Sequence, residues 1–545
     1  MTEIILIEEC NHLQFKKGDF KVCLVYPGEA KIGLSSLAIH RVYSILNSVE
    51  GVSCDLFFED TKSSFFLEKN LKEFDVIAFS ITYEDHLFEV ASILYKEGIP
   101  PLRKEREGKE FPVILGGGIG LFYNPAPFMP LFDVIYLGEA EGRLEEVIKK
   151  LAESNKKIEE LNAFDNIILS REYRFHYNGE FVEKIEGERK KIFRSPFFST
   201  TYSHSCFLSG DITFKDMYLI EVNRGCIEKC RFCVATYMGL PYREKKIEVL
   251  EREIEIAKRY GNRVGLIGAG VTDYSKMEEL FEILKKYNVK ASFSSLKVSS
   301  PSPYIFKIVE ESQQKTVTLA PETGNESLRY AINKKVPDEK YFSFAERALE
   351  HGAENIKLYF LIGLPGETTD DLMGIVEMAK RFRELALKFW KARGKVGKIH
   401  LSVNPIISKP FTPFQWYGLN PKSEIEKKIR LLKREVGKIP NVEISYENIK
   451  RTILQAVICR GDTRIGEAAI ESAVHGVNFR KSLKEKRLKI DNLYTREREK
   501  DELFPWEVVD SGIKREYLWR EYCNTYKRKA TPHCFPGCKA CGLCD

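Results

Sequence analysis

Twice along this chain, short apolar runs alternate with segments of helical period, and this alternation restricts the fold more than any other feature. A strand buried on both faces needs a continuous apolar run, and strands linked through helices lie parallel. Between about 20 and 145 the runs are KVCLVYP, SCDLFFED, FDVIAFSI, FPVILGGG and FDVIYLGEAEG. LSSLAIHRVYSILNSV follows the first, with Leu37, Val42, Ile45 and Leu46 at helical spacing. These residues read as a doubly wound parallel α/β domain over 1–145. A second alternation, from Met217 to about Trp416, has the runs MYLIEVN, RVGLIGAG, KASFSS, KTVTLAPE, NIKLYFLIG and KIHLSVNPII. It reads as a β/α barrel over 216–420.

The intervening stretch, 146–215, is a connector. Its YRFHYNGEFVEKI segment signals a hairpin turning at Asn178-Gly179. Residues 421–545 form a charged, mainly helical C-terminal region. There Arg460, Asp462 and Arg464 suggest an ion-pair network bracing the barrel. A chain of 545 residues is too long for one core, so several domains are expected. The 85 basic and 79 acidic residues nearly balance, which gives no electrostatic case for nucleic acid. No apolar run approaches the roughly 20 residues of a membrane span, and the N-terminus has no secretory pattern, so a cytoplasmic location is expected.

Ligands of parallel α/β folds bind beyond the carboxyl ends of the strands. In the first domain this points to Tyr26, to Gly116, Gly117 and Gly118, and to Gly138. Glycines there let a backbone approach a flat or phosphate-bearing ligand closely, and a tight turn explains them equally well. In the barrel, the first strand leads into EVNRGCIEKCRFCVATYM, with Cys226, Cys230 and Cys233 spaced C-x3-C-x2-C. Three thiolates on one loop can hold three irons of a [4Fe–4S] cube and leave the fourth open. Tetrahedral zinc would lack a nearby fourth ligand.

The chain has 13 Cys, an odd number and a poor disulfide framework. A second array ends it: Cys534, Cys538, Cys541 and Cys544. Four thiolates suit either a complete [4Fe–4S] cluster with an electron-transfer role or one structural zinc. Cys10, Cys23, Cys54, Cys206, Cys459 and Cys523 are scattered, and buried structural thiols are the default for them.

The three-cysteine loop, with Phe232 before the last cysteine, resembles the signature loop of the radical S-adenosylmethionine (SAM) superfamily. APETGNESLR, LIGLPGET and SKPFTPFQW extend the likeness to a branch that joins a cobalamin-binding-type domain to a six-strand partial barrel. YPGEAKIGLSSLAIHRVYSILN, FSITYEDHL, ILGGGIGLFYNPAP and DVIYLGEAEG carry it over the first domain. The resemblance implies SAM bound at the open iron and cleaved by one electron from a flavodoxin- or ferredoxin-type donor. It assigns Gly268 and Gly270 of GAGVTDY to the SAM amino group and gives a cofactor contact to Ser295. Glu322 would hold the ribose hydroxyls and Arg329 the methionine carboxylate. No D-x-H-x-x-G is present, so no cobalt-ligating histidine is assigned, and the first domain either binds cobalamin or keeps only the fold.

The leading expectation is a radical SAM enzyme transferring methyl groups through cobalamin to an unactivated carbon. A radical SAM enzyme for sulfur insertion or redox modification is the alternative, and an iron–sulfur or cobalamin-binding sensor the non-enzyme one. RNA, a protein side chain, a lipid and a small molecule all remain open as substrate, and no catalytic residue beyond the cofactor seats is named.

Overall fold

FKVCLVY forms a strand with no wet face, because its apolar residues leave no polar alternation: Val22 to Tyr26 are all buried. The computed structural model describes residues 4–12, 18–214, 217–293, 296–299, 302–535 and 537–543, so Ser294, Ser295 and Cys544 lie outside the described residues. The chain divides into two compact units. One is Met1–Asp216 with Leu454–Tyr494 and Asp501–Gly512. The other is Met217–Ile453 with Thr495–Lys500 and Ile513–Asp545. Where the sequence suggests one C-terminal region over 421–545, these residues are shared between the two units.

In the first unit β1 (Phe20–Tyr26), β2 (Val52–Phe58), β3 (Val76–Ser80), β4 (Val113–Gly117), β5 (Val134–Tyr136) and β6 (Ile167–Leu169) form one sheet in the order β2-β1-β3-β4-β5-β6. The first five strands are parallel. β6, from the stretch read as connector, adds an antiparallel edge. The chain leaves β1 toward β2 and returns on the other side to β3, so the topological switch lies between β1 and β3.

The hairpin pairs Arg174–Asn178 with Phe181–Glu186. Asn178 faces Phe181, so the loop residues are Gly179 and Glu180, one position later than the Asn-Gly signal suggests. Arg464 stacks on Tyr177, 3.7 Å from its ring centre, and donates to the Gly179 carbonyl at 2.8 Å. The Arg464–Asp462 pair therefore braces this hairpin and not the barrel. Cys10 and Cys206 are disulfide-bonded, correcting their reading as separate thiols. Antiparallel pairing of Ile5–Leu6 with Phe207–Leu208 brings these distant segments together.

The second unit contains two parallel sheet segments. The first is β7 (Tyr218–Glu221), β8 (Arg263–Ile267) and β9 (Lys290–Phe293). The second is β10 (Thr316–Glu322), β11 (Asn355–Ile362), β12 (Ile399–Pro405) and β13 (Val442–Ser445). The Leu296 amide donates to the Thr318 carbonyl at 3.1 Å, linking the two segments past β9. Helices separate successive strands, among them Ile247–Tyr260 and Thr369–Arg393, the latter capped by Thr368. β13 extends the six strands read from the sequence by one. Burial alternates along β10, β11 and β12. Their fully buried faces carry Val317, Leu319, Leu358, Phe360, Leu401 and Val403, while the other face carries Glu322, Lys357, Tyr359, His400, Ser402 and Asn404.

Candidate functional site

The three cysteines occupy the loop after β7, at the carboxyl end of the first barrel strand. Gly225 lets this loop cross the Val234–Gly239 helix: its φ is +81°, and a Cβ there would stand 2.4 Å from the Gly239 carbonyl oxygen. Cys226 and Cys230 are buried, Cys233 is partly exposed and Phe232 is half-buried. Burial pushes the Cys226 and Cys230 thiols up, and each also feels the charge of the neighbouring cysteines. Opposing this are two lysines that sequence reasoning missed. Lys297 Nζ lies 3.8 Å from Cys226 Sγ and 3.2 Å from Glu228, and it also contacts Asp273. Lys334 pairs with Glu322 at 2.7 Å and lies in the field of Cys230. Burial alone would lower the pKa of Lys334, but Glu322, Tyr341 and Cys230 outweigh it and hold the ammonium protonated.

Among the described residues no three His, Cys, Asp or Glu side chains gather tightly enough to share one metal ion. A cube takes one thiolate per iron, so its ligands need not converge on one point as those of zinc must. Neighbouring thiols with ammonium groups beside two of them suit an anionic thiolate cluster.

GAGVTDY follows β8. Gly268 is required by contact, since a Cβ there would fall 2.3 Å from Asn223 Oδ1. Asn223 takes both polar groups of Gly270, donating to its carbonyl at 2.6 Å and accepting from its amide at 3.3 Å. The Gly270 backbone groups are therefore held by the loop before Cys226. Ser295 lies outside the described residues.

Glu322 ends β10 with φ +68°, after a register shift spanning Ala320 and Pro321. Arg329 explains how this left-handed residue is held. It is 0% exposed and donates to the carbonyls of Pro321 at 3.0 Å, Thr323 at 2.9 Å and Val336 at 3.1 Å, and to Asp338 at 2.6 Å. Its guanidinium is engaged with the protein on each side, and the direct carboxylate contact expected of it does not appear among these bonds. Lys297 and Lys334 are the cations next to Cys226 and to Glu322 respectively. The signal for Lys297 was available: a lysine just past a barrel strand, where ligand-binding residues collect.

The C-terminal cysteines pack on the same loop. The Cys534 amide donates to the Ile227 carbonyl at 3.1 Å, and Lys229 Nζ lies 3.7 Å from Cys538 Sγ. His533 meets Glu228 at 3.2 Å. Buried Asn333 bridges the two segments, donating to the Lys229 carbonyl at 3.0 Å and accepting from the Thr531 amide at 2.7 Å. Arg231, fully buried, pairs with Glu521 at 3.0 Å and donates to the Lys529 carbonyl at 2.6 Å. Cys538 and Cys541 are buried, and Cys544 lies outside the described residues.

In the first unit, most of the glycines singled out at strand ends serve internal packing. A Cβ on Gly116 would meet the Phe132 ring at 2.7 Å, one on Gly118 the Ile81 carbonyl at 2.5 Å, and one on Gly138 the Phe193 carbonyl at 2.3 Å. Only Gly117 of the four has no neighbour nearer than 4.0 Å. The β5 end is thus covered by the segment carrying Phe193. The β1, β3 and β4 ends instead present Ile32, Tyr83 and Ile119, exposed by 44, 48 and 38%. Tyr26 and Tyr83 each meet the His86 ring edge to face, with centroids 5.3 and 5.5 Å apart. Burial raises the Tyr26 hydroxyl to about 12. Gly117 is thus the one of these four glycines left open, fewer than the glycine pattern suggested.

Two family models match. "Radical SAM proteins, N-terminal" covers residues 38–170, and "Radical SAM superfamily" covers 220–379. An uncharacterised protein of Methanocaldococcus jannaschii is 28% identical over 82% of this chain and 90% of its own length. A tRNA-2-methylthio-N(6)-dimethylallyladenosine synthase of Wolbachia pipientis is 23% identical over 33% of this chain and 44% of that enzyme. The fold is similar to that of the cobalamin-dependent SAM radical enzyme OxsB with aqua-cobalamin bound. The TM-score is 0.50 at 15% identity, over 76% of this chain and 62% of that one.

Proposed function

Because this chain belongs to the radical SAM superfamily and carries its three-cysteine loop at a barrel strand end, we propose that it is a cobalamin-dependent radical SAM methyltransferase. The family implies a [4Fe–4S] cluster and SAM, and Cys226, Cys230 and Cys233 are the residues that would hold the cluster. When bound, these groups supply the electron and the adenosyl radical chemistry. The protein supplies binding and electrostatics. Lys297 and Lys334 offset the negative charge of the thiolates. Glu322, held by Arg329 and Lys334, offers a fixed carboxylate to a ligand hydroxyl or amine. Asn223 fixes the turn at Gly268–Gly270.

The observation that carries the cobalamin part of the reading is the open position of Gly117 at the end of β4, with exposed Ile32, Tyr83 and Ile119 on the segments that follow β1, β3 and β4. The likeness in fold to OxsB supports it. Cobalamin would supply a methyl carrier, and these strand ends would take one face of its ring. The C-terminal cysteines are read as a second metal centre, a [4Fe–4S] cluster with an electron-transfer role. A flavodoxin- or ferredoxin-type protein is the proposed donor, and the substrate is left at the level of an unactivated carbon.

The test is anaerobic reconstitution with iron, sulfide and cobalamin, followed by gel filtration. Retained cobalamin absorbance with 5′-deoxyadenosine formation is expected. Normal SAM cleavage with no cobalamin retained would replace methyl transfer by the second reading, sulfur insertion. The partial likeness to a methylthio-synthase and the second cysteine array favour that alternative.

A further inference from the structure

A lysine in the middle of a strand, partly buried and with no acid beside it, is held there at a cost, and Lys357 is such a residue. On β11 and β12 the face opposite the fully buried one carries Lys357, Tyr359, His400, Ser402 and Asn404, all partly exposed. Parallel register sets Lys357 beside His400, Tyr359 beside Ser402, and Ser402 beside Ser445 of β13. Paired residues of neighbouring strands share a face, so these side chains form one patch. Lys357 Nζ lies over the Tyr359 ring, 4.9 Å from its centre, so the ammonium leans toward the carboxyl end of β11. Among the described residues no carboxylate pairs with it. Around the same strands other lysines are matched: Lys315 with Glu354 at 2.8 Å, Lys398 with Glu443 at 2.7 Å and Lys334 with Glu322 at 2.7 Å. The neutral groups of the patch also favour a ligand that accepts hydrogen bonds. Asn404 accepts the Glu447 amide at 2.9 Å through Oδ1, which turns its Nδ2 to Ser402 Oγ at 3.5 Å. Ser402 is thus an acceptor within the protein and keeps its own hydrogen for a ligand. Ser445 holds His400 through Nε2 at 2.8 Å, and Nδ1 has no bond among the described residues.

We infer that this patch seats a carboxylate or phosphate group of a small substrate, with Lys357 as its cation and Ser402 and His400 as further donors. A charge-assisted bond to such an oxyanion supplies the counter-charge that Lys357 lacks. A few fixed polar groups of this kind orient a ligand in its site. Glu322 is in register with Phe360, the residue after Tyr359, so the patch adjoins the strand end that carries Glu322. An anion held at Lys357 therefore anchors the substrate beside the strand ends where the reaction is proposed. The inference rests on that reading of the strand ends and names the substrate class it left open.

The test uses the full-length protein, reconstituted anaerobically and titrated calorimetrically with inorganic phosphate and, separately, with malonate. Wild type should bind at least one of them, and the tighter of the two names the source of the charge. Lys357→Met, which keeps the stem over Tyr359, should weaken that binding about tenfold or more, as expected for loss of a hydrogen bond to a charged group. Ser402→Ala should weaken it about threefold. Lys357→Arg, which keeps the charge, should hold most of the affinity. A folded Lys357→Met protein that binds like wild type overturns the seat, and so does a wild type that binds neither anion. If Lys357→Met does not fold, Ser402→Ala decides by itself, and unchanged affinity there overturns the seat. Formation of 5′-deoxyadenosine by wild type reads the strand-end assignment separately. Anion binding that depends on Lys357, in a protein that cleaves SAM, is the expected result. The same binding in a protein that forms no 5′-deoxyadenosine overturns the substrate role.

Discussion

The two units share a device, a parallel sheet whose carboxyl edge collects the loops, but fill it with opposite chemistry. At the barrel edge Lys297 meets Cys226, Glu228 and Asp273, and Lys334 pairs with Glu322 in the field of Cys230. At the other edge the loops bring Ile32, Tyr83 and Ile119 to the surface and close the β5 end with Phe193. The first arrangement sets both ammonium groups against fixed carboxylates, which offsets the cost of burying them. The second can offer little to a charge and much to a flat apolar face. Similar backbones thus carry a charged edge in one unit and a largely apolar edge in the other through side chains alone.

The comparison breaks most sharply at the thiols. Replacing Cys226, Cys230 and Cys233 together by Ala should abolish 5′-deoxyadenosine formation, measured chromatographically under reducing conditions. Cobalamin retention by the other unit should persist. Full cleavage activity in that variant would end the reading of the barrel edge.

Next in size is Arg329→Met, which strands Asp338 and three carbonyls. About 3 kcal/mol should be lost in denaturant unfolding. A variant as stable as wild type would mean that Glu322 is held by something other than Arg329.

A pH series separates the units further. His40 in the first unit is held down to about 4 by burial, against the raising effect of its bond to the Leu34 carbonyl. Its Nε2 lies 2.8 Å from that carbonyl, and Nδ1 accepts from the Cys206 and Phe207 amides at 2.9 and 3.2 Å, so the neutral ring is required. The folded pKa is lowered, so the unfolded chain binds more protons between about pH 6.5 and 4. This contribution is complete above pH 6.5 and is lost as pH falls through that window. At about 1.4 kcal/mol per unit it amounts to about 3 kcal/mol. His40→Gln should flatten the pH slope of unfolding, and an unaltered slope would remove His40 as its source.

The smallest effect tests the glycines. Gly138→Ala, at φ +122° and against the Phe193 carbonyl, should cost about 2 kcal/mol by thermal unfolding. Gly117→Ala should stay within about 0.5 kcal/mol of wild type. Equal costs would mean that the open position is not open.

Sequence by itself determined the strands, the parallel sense of most of them, and the place of the three-cysteine loop after the first barrel strand. These follow from local periodicity and spacing, which survive any packing. Tertiary structure decided what each strand-end residue is for. Arg329 had the right type and place for a ligand carboxylate, but burial turned it toward backbone carbonyls. Gly116, Gly118 and Gly138 had the look of a ligand cradle, but neighbouring chain fills the space. Lys297 and Lys334 carried no motif and gained their role from the thiols beside them. The docking of the C-terminal cysteines on the Cys226–Cys233 loop joins residues about 300 positions apart in sequence, as the Lys229–Cys538 separation of 309 shows. Contacts at that separation depend on how the second unit packs as a whole, and no local pattern encodes that.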